Sequence, residues 1–220
     1  MNISFTKRTG GVSHGAFASL NLGDHVGDSP EDVATNRKIL ADSVGPTQFM
    51  NQVHGNRIAV IEQISDEVPT ADSLITGIPG ITLAVMTADC IPLLLHSRES
   101  VAAVHVGRKG LVNDVAIKTV ELMREMGATT ISAVLGPSIC GKCYEVSEEI
   151  FNEVIQLHPL AASRTAENTL SLDLPAALSA ALTGAGVSVE RRDECTVEDS
   201  SYFSYRRDGI TGRQVGVISL

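Results

Sequence analysis

Apolar runs and amphipathic stretches alternate along the whole chain, and their periods predict both strands and helices. Short apolar runs rich in β-branched residues are typical of buried strands, whereas apolar residues three and four positions apart indicate one face of a helix. The predicted strands are 57–62, 81–86, 92–96, 101–106, 130–135, 187–191 and 214–219, and the predicted helices are about 30–43, 113–126, 146–157 and 174–183. Residues 158–172 show neither period and are predicted to form a loop.

Polar residues at the predicted helix ends support this assignment. Ser29 followed by Pro30 is a typical helix start, Gly45 a typical stop, and Asp173 can cap the helix over 174–183. No internal repeat, Gly/Ser linker or block of like charges divides the chain. The sequence therefore predicts a single mixed α/β (α+β) domain over residues 1–220, with a central β-sheet core flanked by helices; the order of the strands does not follow from it.

The excess of acidic residues makes some classes of binding partner unfavourable. The chain has 26 Asp and Glu against 17 Lys and Arg, a net charge of −9 at pH 7, which disfavours a broad nucleic-acid surface. No apolar run approaches the roughly 18 residues that cross a bilayer, and the N-terminal residues lack the apolar core of a signal peptide. A cytoplasmic protein without a nucleic-acid or membrane partner is predicted, and the oligomeric state is left undetermined.

Three potential metal ligands lie at the ends of predicted elements. His105 ends the strand 101–106, where alternation places it on the same face as Val101 and Ala103. Cys90 follows the strand 81–86, and His54 lies in a polar turn before the strand 57–62. Two imidazoles and one thiolate would give zinc an open tetrahedral site. Their spacing matches no short metal fingerprint, however, so isolated histidines with ordinary packing roles remain an alternative at this point.

Two further features have competing interpretations. The pair Cys140 and Cys143 has the C-x-x-C spacing of zinc or redox sites, but no second pair accompanies it, and a packing or loop-shaping role is favoured. Arg108 and Lys109 lie between two glycines before a predicted helix, where an anion such as phosphate could bind or where both side chains could simply be solvated. Arg8 and Arg206, in glycine- or aromatic-rich settings, are additional candidate cations.

Several motifs, in one order from about residue 5 to the C-terminus, resemble the laccase-domain, or polyphenol-oxidase-like, family. They include Arg8-Thr-Gly-Gly-Val-Ser13, Asn21-Leu-Gly, Gln52-Val-His54-Gly, Ala71-Asp72, Thr87-Ala-Asp-Cys90-Ile-Pro, Val104-His105-Val-Gly, Gly136-Pro-Ser-Ile, Cys143-Tyr-Glu-Val and Phe203-Ser-Tyr-Arg-Arg-Asp-Gly-Ile-Thr-Gly-Arg213. The family is understood to comprise zinc-dependent purine nucleoside phosphorylases with adenosine deaminase activity. It is the combination of motifs that is specific.

The resemblance implies a zinc ion bound by His54, Cys90 and His105. It also implies that the substrates are phosphate and a purine nucleoside (adenosine, inosine, guanosine or methylthioadenosine). Two residues are expected in catalysis: Arg8 as a cation that orients phosphate, and Asp89 as a proton acceptor or as a carboxylate that orients a ligand imidazole. The residues expected in substrate binding are Gln52, Arg108, Lys109 and Arg206. Arg108 and Lys109 stand where the family usually has Trp and Arg, so contacts with the base or ribose are expected to differ.

Three other functions compete with this interpretation. Cys90 and His105 could form the nucleophile and base of a cysteine hydrolase or amidase. A structural zinc ion could instead belong to a non-catalytic nucleotide-binding protein. Copper-dependent phenol oxidation is disfavoured, because a three-copper centre uses many imidazoles in H-x-H pairs and the chain has six histidines and no such pair.

Overall fold

Two β-sheets packed face to face form the centre of the protein, which the computed structural model describes over residues 1–220. The strands are β1 Asn2–Phe5, β2 Thr47–Gln48, β3 Ile58–Val60, β4 Ser73–Thr76, β5 Thr82–Thr87, β6 Ile91–His96, β7 Val101–Val106, β8 Ser132–Leu135, β9 Ala162–Arg164, β10 Leu170–Leu172, β11 Ser188–Arg191 and β12 Gln214–Ser219. The helices are α1 Pro30–Val44, α2 Arg108–Val112, α3 Val115–Glu125, α4 Glu148–Leu157, α5 Leu174–Gly184 and α6 Tyr205–Asp208. The mixed α/β class predicted from the sequence is confirmed.

One sheet has four strands in the order β1-β12-β5-β2, and the other has six in the order β11-β8-β6-β7-β4-β3. Apolar side chains from both fill the space between them, and the outer faces are covered by helices, α1 on the small sheet and α3, α4 and α5 on the large one. Strand β7 shows the alternation directly: Ala102 and Val104 face the helices, while Val101 and Ala103 face the other sheet. His105 lies on the second of these faces, as predicted.

The helix ends follow the sequence signals. Ser29 caps α1 by accepting a hydrogen bond from the Asp32 N–H, and Asp173 caps α5 by accepting one from Ala176. The helix predicted over 113–126 is confirmed as α3, Val115–Glu125, and the short helix α2, Arg108–Val112, lies before it and was not predicted. Asp114 separates them, because its left-handed backbone at φ 61° cannot continue a helix.

The prediction of a loop over 158–172 is wrong. This segment contains a 3₁₀ turn, Pro159–Ala161, and an antiparallel hairpin of β9 and β10, which pairs Leu170 with Arg164. Each strand is only three residues long, too short for a period of two to stand out in the sequence. The sequence also did not predict β1, β2 and β4, which have two to four residues each. None of the helices is both long and apolar enough to cross a membrane.

Strand pairing brings distant segments to one end of the large sheet. Strand β6 runs antiparallel to β7 and pairs Pro92 with His105, so Cys90, just before β6, lies beside the end of β7. Strand β4 pairs with the other edge of β7, and the residue before it, Asp72, accepts a backbone hydrogen bond from the His105 N–H. The loop between β2 and β3 adds His54 to the same place.

Candidate metal centre and its cavity

The side chains of His54, Cys90 and His105 converge, with their potential ligand atoms all within 4.8 Å of one another. The Cys90 Sγ lies 4.0 Å from the His54 Nε2, and the two imidazole rings meet edge to face with centroids 4.7 Å apart. His105 is buried, Cys90 is partly exposed and His54 is exposed. A group of two imidazoles and one thiol, open to solvent on one side, can bind a divalent metal ion.

Asp72 holds this arrangement together. Its carboxylate, fully buried, accepts a 2.8 Å hydrogen bond from the His105 Nδ1 and further bonds from the backbone N–H groups of Val53, His54 and Gly55. These bonds turn the His105 Nε2 toward Cys90 and fix the loop on which His54 has a left-handed backbone, with φ 58°. A carboxylate behind a ligand imidazole is the usual support of a histidine metal ligand.

The carboxylate that orients a ligand imidazole is therefore that of Asp72, whereas the sequence had suggested Asp89 for this role. Asp89 does not orient a ligand imidazole; its carboxylate accepts hydrogen bonds from the Thr196 hydroxyl, at 2.7 Å, and from the Arg206 backbone N–H, at 2.6 Å. Because Asp72 lies immediately before the unpredicted strand β4, only the pairing of β4 with β7 reveals its place beside His105.

The thiol and the buried imidazole influence each other electrostatically. Burial of the Cys90 thiol opposes its ionisation, but His105 and His54 outweigh burial and lower the pKa of Cys90 to about 6. Burial of His105 opposes its protonation, but the negative charges of Cys90 and Asp72 raise its pKa to about 9. At a pH between these two pKa values, the metal-free protein has a Cys90 thiolate beside a His105 imidazolium.

The lowered pKa of Cys90 predicts how the rate of its alkylation depends on pH in chelator-treated protein. Because the thiolate is the reactive form, the rate with iodoacetamide should rise as the pH passes through about 6 and level off above it, whereas an ordinary thiol has its midpoint near pH 8.5. Peptide mass spectrometry after timed alkylation measures this profile. Cys140 is the internal control, because burial raises the pKa of its thiol. A Cys90 midpoint at or above that of an ordinary thiol would contradict the prediction.

Gly107 has no side chain, and this leaves room for the side chains of Cys90 and His54. A Cβ atom at this position would lie 2.9 Å from the Cys90 Sγ and 3.3 Å from the His54 Cδ2, so an alanine must displace one ligand or the other. We expect Gly107→Ala to weaken zinc binding at least about tenfold without removing a ligand, comparable to the loss of a residue that supports a ligand. Competition with a chelating dye measures the affinity. Gly184→Ala, where a Cβ meets open space, should bind zinc as the wild type does.

The three ligand residues lie in a cavity of about 440 Å³, within the roughly 300–1,000 Å³ range of small-molecule sites. Its charged and aromatic lining favours a polar ligand with a planar part. The lining residues are His25, Gln52, His54, Met86, Thr87, Ala88, Asp89, Cys90, His105, Ile139, Tyr144, Tyr205, Arg206 and Arg213.

Three of the residues predicted from the sequence line the cavity beside the metal group: Gln52, Asp89 and Arg206. The amide of Gln52 is bonded at both ends to the backbone of Met86, donating to its carbonyl and accepting from its N–H at 2.8 Å each. These two hydrogen bonds connect the loop that carries His54 to strand β5. The Arg206 guanidinium donates to the Glu145 carbonyl at 2.9 Å and lies 5.1 Å from the centre of the Tyr144 ring.

Three predicted cations do not line the cavity. Arg8 donates to the Ala18 carbonyl and stacks on the Phe203 ring, 4.9 Å from its centre. Arg108 forms an ion pair with Glu153 on α4 at 2.9 Å, and Lys109 is exposed. The turn that carries Arg108 and Lys109 is already helical, because α2 begins at Arg108, and neither side chain lines the cavity.

Arg213 and Tyr144 are cavity residues that the sequence did not single out. Arg213 ends the last of the family-like motifs, and the loop before β12 places it in the cavity. Its guanidinium donates to the carbonyls of Thr211 and Gly212, and burial lowers its pKa, although an arginine stays protonated at neutral pH. The cavity thus contains two arginines, Arg206 and Arg213, in addition to the group of metal ligands.

Comparison with known proteins gives matches over the whole chain. The profile of a family described as "Multi-copper polyphenol oxidoreductase laccase" matches residues 2–220. A protein from Corynebacterium glutamicum named purine nucleoside phosphorylase is 42% identical over 98% of this chain and 93% of its own. One of the same name from Streptomyces coelicolor is 43% identical over 100% of this chain and 95% of its own. The crystal structure of a Neisseria meningitidis protein, 35% identical, has a TM-score of 0.90 and covers 100% of this chain and 99% of that one.

Proposed function

The chain belongs to the family described as multi-copper polyphenol oxidoreductase laccase, but we propose that it is a zinc-dependent purine nucleoside phosphorylase that also deaminates adenosine. The observation that carries the proposal is the full-length similarity, at 42–43% identity, to relatives named purine nucleoside phosphorylase. We propose in addition that residues 1–220 act as one domain, that the protein works in the cytoplasm, and that its partners are purine nucleosides and phosphate.

The donor set of the metal group fits zinc. His54, Cys90 and His105 supply two imidazoles and a thiol of lowered pKa, the combination of open catalytic zinc sites, and Asp72 supports His105 from behind. Zinc bound there would supply a Lewis acid that polarises oxygen atoms of the substrate or of water. The group has two imidazoles, fewer than a multi-copper centre requires, which favours zinc over the copper chemistry in the family description.

In phosphorolysis, an oxygen of phosphate forms a bond to C1′ of the ribose while the bond from C1′ to the purine nitrogen breaks, giving the free base and ribose 1-phosphate. The cavity can assist mainly through position and charge. We assign Arg206 and Arg213 to hold the phosphate, in place of Arg8, Arg108 and Lys109, because these two line the cavity. Tyr144 and Tyr205 offer ring faces for the purine.

Asp89 acts in this scheme as a positioning residue. Its carboxylate fixes the Arg206 backbone and the Thr196 hydroxyl, so it sets where Arg206 enters the cavity.

In deamination, water adds to C6 of adenosine and ammonia leaves, giving inosine. This reaction needs no phosphate, so the same cavity can carry it out without the cations that phosphorolysis uses.

Product analysis separates the two activities. The purified, zinc-loaded protein should convert adenosine and phosphate into adenine and ribose 1-phosphate, and adenosine alone into inosine. Chromatography of reactions with adenosine, inosine, guanosine and methylthioadenosine, each with and without phosphate, would rank the substrates. No free base from any nucleoside with phosphate would refute the phosphorylase, and no inosine without phosphate would refute the deaminase. Phenol oxidation after copper loading would favour the oxidase that the family description names.

A cysteine hydrolase is the second candidate, and the thiolate–imidazolium pair of Cys90 and His105 is the observation that favours it. The two proposals differ in their response to chelators. Amide or ester hydrolysis that persists in chelator-treated protein and stops after alkylation of Cys90 would support the hydrolase. Nucleoside turnover that stops with chelator and returns with zinc would support the phosphorylase.

A further inference from the structure

A second group of metal-binding side chains lies outside the cavity. It consists of Cys140, Cys143, Cys195 and Glu198, whose potential ligand atoms all lie within 4.8 Å of one another. Cys195 is buried, Cys140 and Cys143 are partly exposed, and Glu198 is exposed. Two separate loops supply these residues, so the group exists only in the folded chain.

The local backbone gathers the thiols. Between Cys140 and Cys143 the chain makes a tight turn, in which the N–H groups of Cys143 and Tyr144 both donate to the Cys140 carbonyl at 3.1 Å. This turn places the two thiols of the C-x-x-C motif on one side. The Cys195 Sγ accepts a hydrogen bond from the Cys140 N–H at 3.3 Å, an interaction that stabilises a negatively charged sulfur.

The fourth member completes a tetrahedral donor set. The Cys143 Sγ lies 3.6 Å from the Glu198 Oε1. A zinc ion about 2.3 Å from each sulfur holds neighbouring donors roughly 3.8 Å apart, so the observed separations need only small adjustments. The Arg207 side chain donates to the carbonyls of Thr196 and Val197 and so holds the second loop in place between Cys195 and Glu198.

We propose that Cys140, Cys143, Cys195 and Glu198 form a second metal site, which binds a structural zinc ion. Three thiolates select zinc over calcium or magnesium, which prefer oxygen ligands. With four protein donors the site is closed, in contrast to the open group of His54, Cys90 and His105, and a closed site is typical of a structural ion.

The position of this site indicates what the ion does. Its two loops form one wall of the cavity: Ile139 and Tyr144 line the cavity from the first loop, and Thr196 in the second bonds to Asp89. The loops are joined to each other by few backbone bonds, among them Thr196 N–H to the Ser138 carbonyl at 3.1 Å. An ion that binds both loops would therefore fix the wall on which Tyr144 and Asp89 depend.

Cobalt reconstitution tests the proposal on the full-length chain, because absorption from thiolate to cobalt scales with the number of Co–S bonds. The protein, reduced and stripped of metal, is titrated with cobalt(II). The wild type should bind about two equivalents through four sulfurs, one in the first group and three in the second. Cys90→Ser, the matched control, should keep about three quarters of the absorption, and Cys143→Ser about one quarter.

Several results of this experiment would contradict the second metal site. A single equivalent of cobalt in the wild type that is lost in Cys90→Ser, together with nearly all the absorption, would overturn the second site. A disulfide among Cys140, Cys143 and Cys195 in protein purified with zinc and reductant, detected by intact mass, would also overturn it. If Cys143→Ser does not fold, Glu198→Gln removes the exposed ligand and should weaken binding of the second cobalt ion alone. None of these measurements depends on nucleoside turnover, so they stand apart from the proposed phosphorylase.

Discussion

Replacing His105 by Ala should remove both the metal and the activity. The variant loses one of three ligands and leaves the buried Asp72 carboxylate without its imidazole partner, so we expect it to be purified without zinc at the first group. A metal ion supplies several kcal/mol of stabilisation to a reaction, so turnover of adenosine or inosine with phosphate should fall about 1,000-fold. Metal analysis and product chromatography of the same preparation measure both effects.

His96→Ala is the matched control for this variant. His96 ends β6 roughly 20 Å along the strand from Cys90 and is half-buried, so its loss tests the effect of removing a histidine from the same sheet. It should retain zinc and turnover. Unchanged nucleoside turnover in metal-free His105→Ala would refute the zinc-dependent mechanism, and retention of zinc in that variant would show that His105 is not a ligand.

Replacing Asp72 by Asn should weaken the metal centre without changing any ligand. The carboxylate accepts four hydrogen bonds, one from His105 and three from the backbone of the His54 loop, and an amide has only one oxygen to accept them. Loss of such a supporting carboxylate costs about 10–100-fold in metal affinity. Competition with a chelating dye at pH 7 gives the affinity, and thermal denaturation gives the accompanying loss of stability.

Asp28→Asn provides a comparison for Asp72→Asn. Asp28 accepts hydrogen bonds from Ser13 and Asn21 through one carboxylate oxygen and contacts none of the three ligands. Its loss should lower the melting temperature but leave zinc affinity unchanged. If Asp72→Asn bound zinc as tightly as Asp28→Asn does, Asp72 would only stabilise the fold and would not orient His105.

The expected pH response of Asp72 has a definite sign. Burial opposes its ionisation, but bonds from His105 and the backbone outweigh burial and lower its pKa. A carboxyl with a lowered pKa in the folded state contributes stability above its unfolded pKa, and this contribution is lost as the pH falls through the folded value. Acid should therefore destabilise the wild type more than Asp72→Asn.

Much of the fold follows from short-range signals. The caps at Ser29 and Asp173 and the apolar periods of β5, β6, β7 and α4 depend on neighbours within a few residues, and they predict those elements closely. Alternation along β7 also determines that His105 shares a face with Val101 and Ala103, because successive side chains of a strand point to opposite sides. Elements with weak local signals, such as the hairpin of β9 and β10, were predicted as a loop or missed.

The sequence by itself determined the mixed α/β class, the resemblance to a family and the three candidate ligands at element ends. Only the tertiary structure decided that Asp72, and not Asp89, supports His105, that Arg213 lines the cavity while Arg8 and Arg108 do not, and that Cys195 joins the C-x-x-C turn. The physical reason is the range of the interactions. Periods and caps are encoded within one or two turns of chain, whereas these contacts depend on strand pairing between segments far apart in sequence.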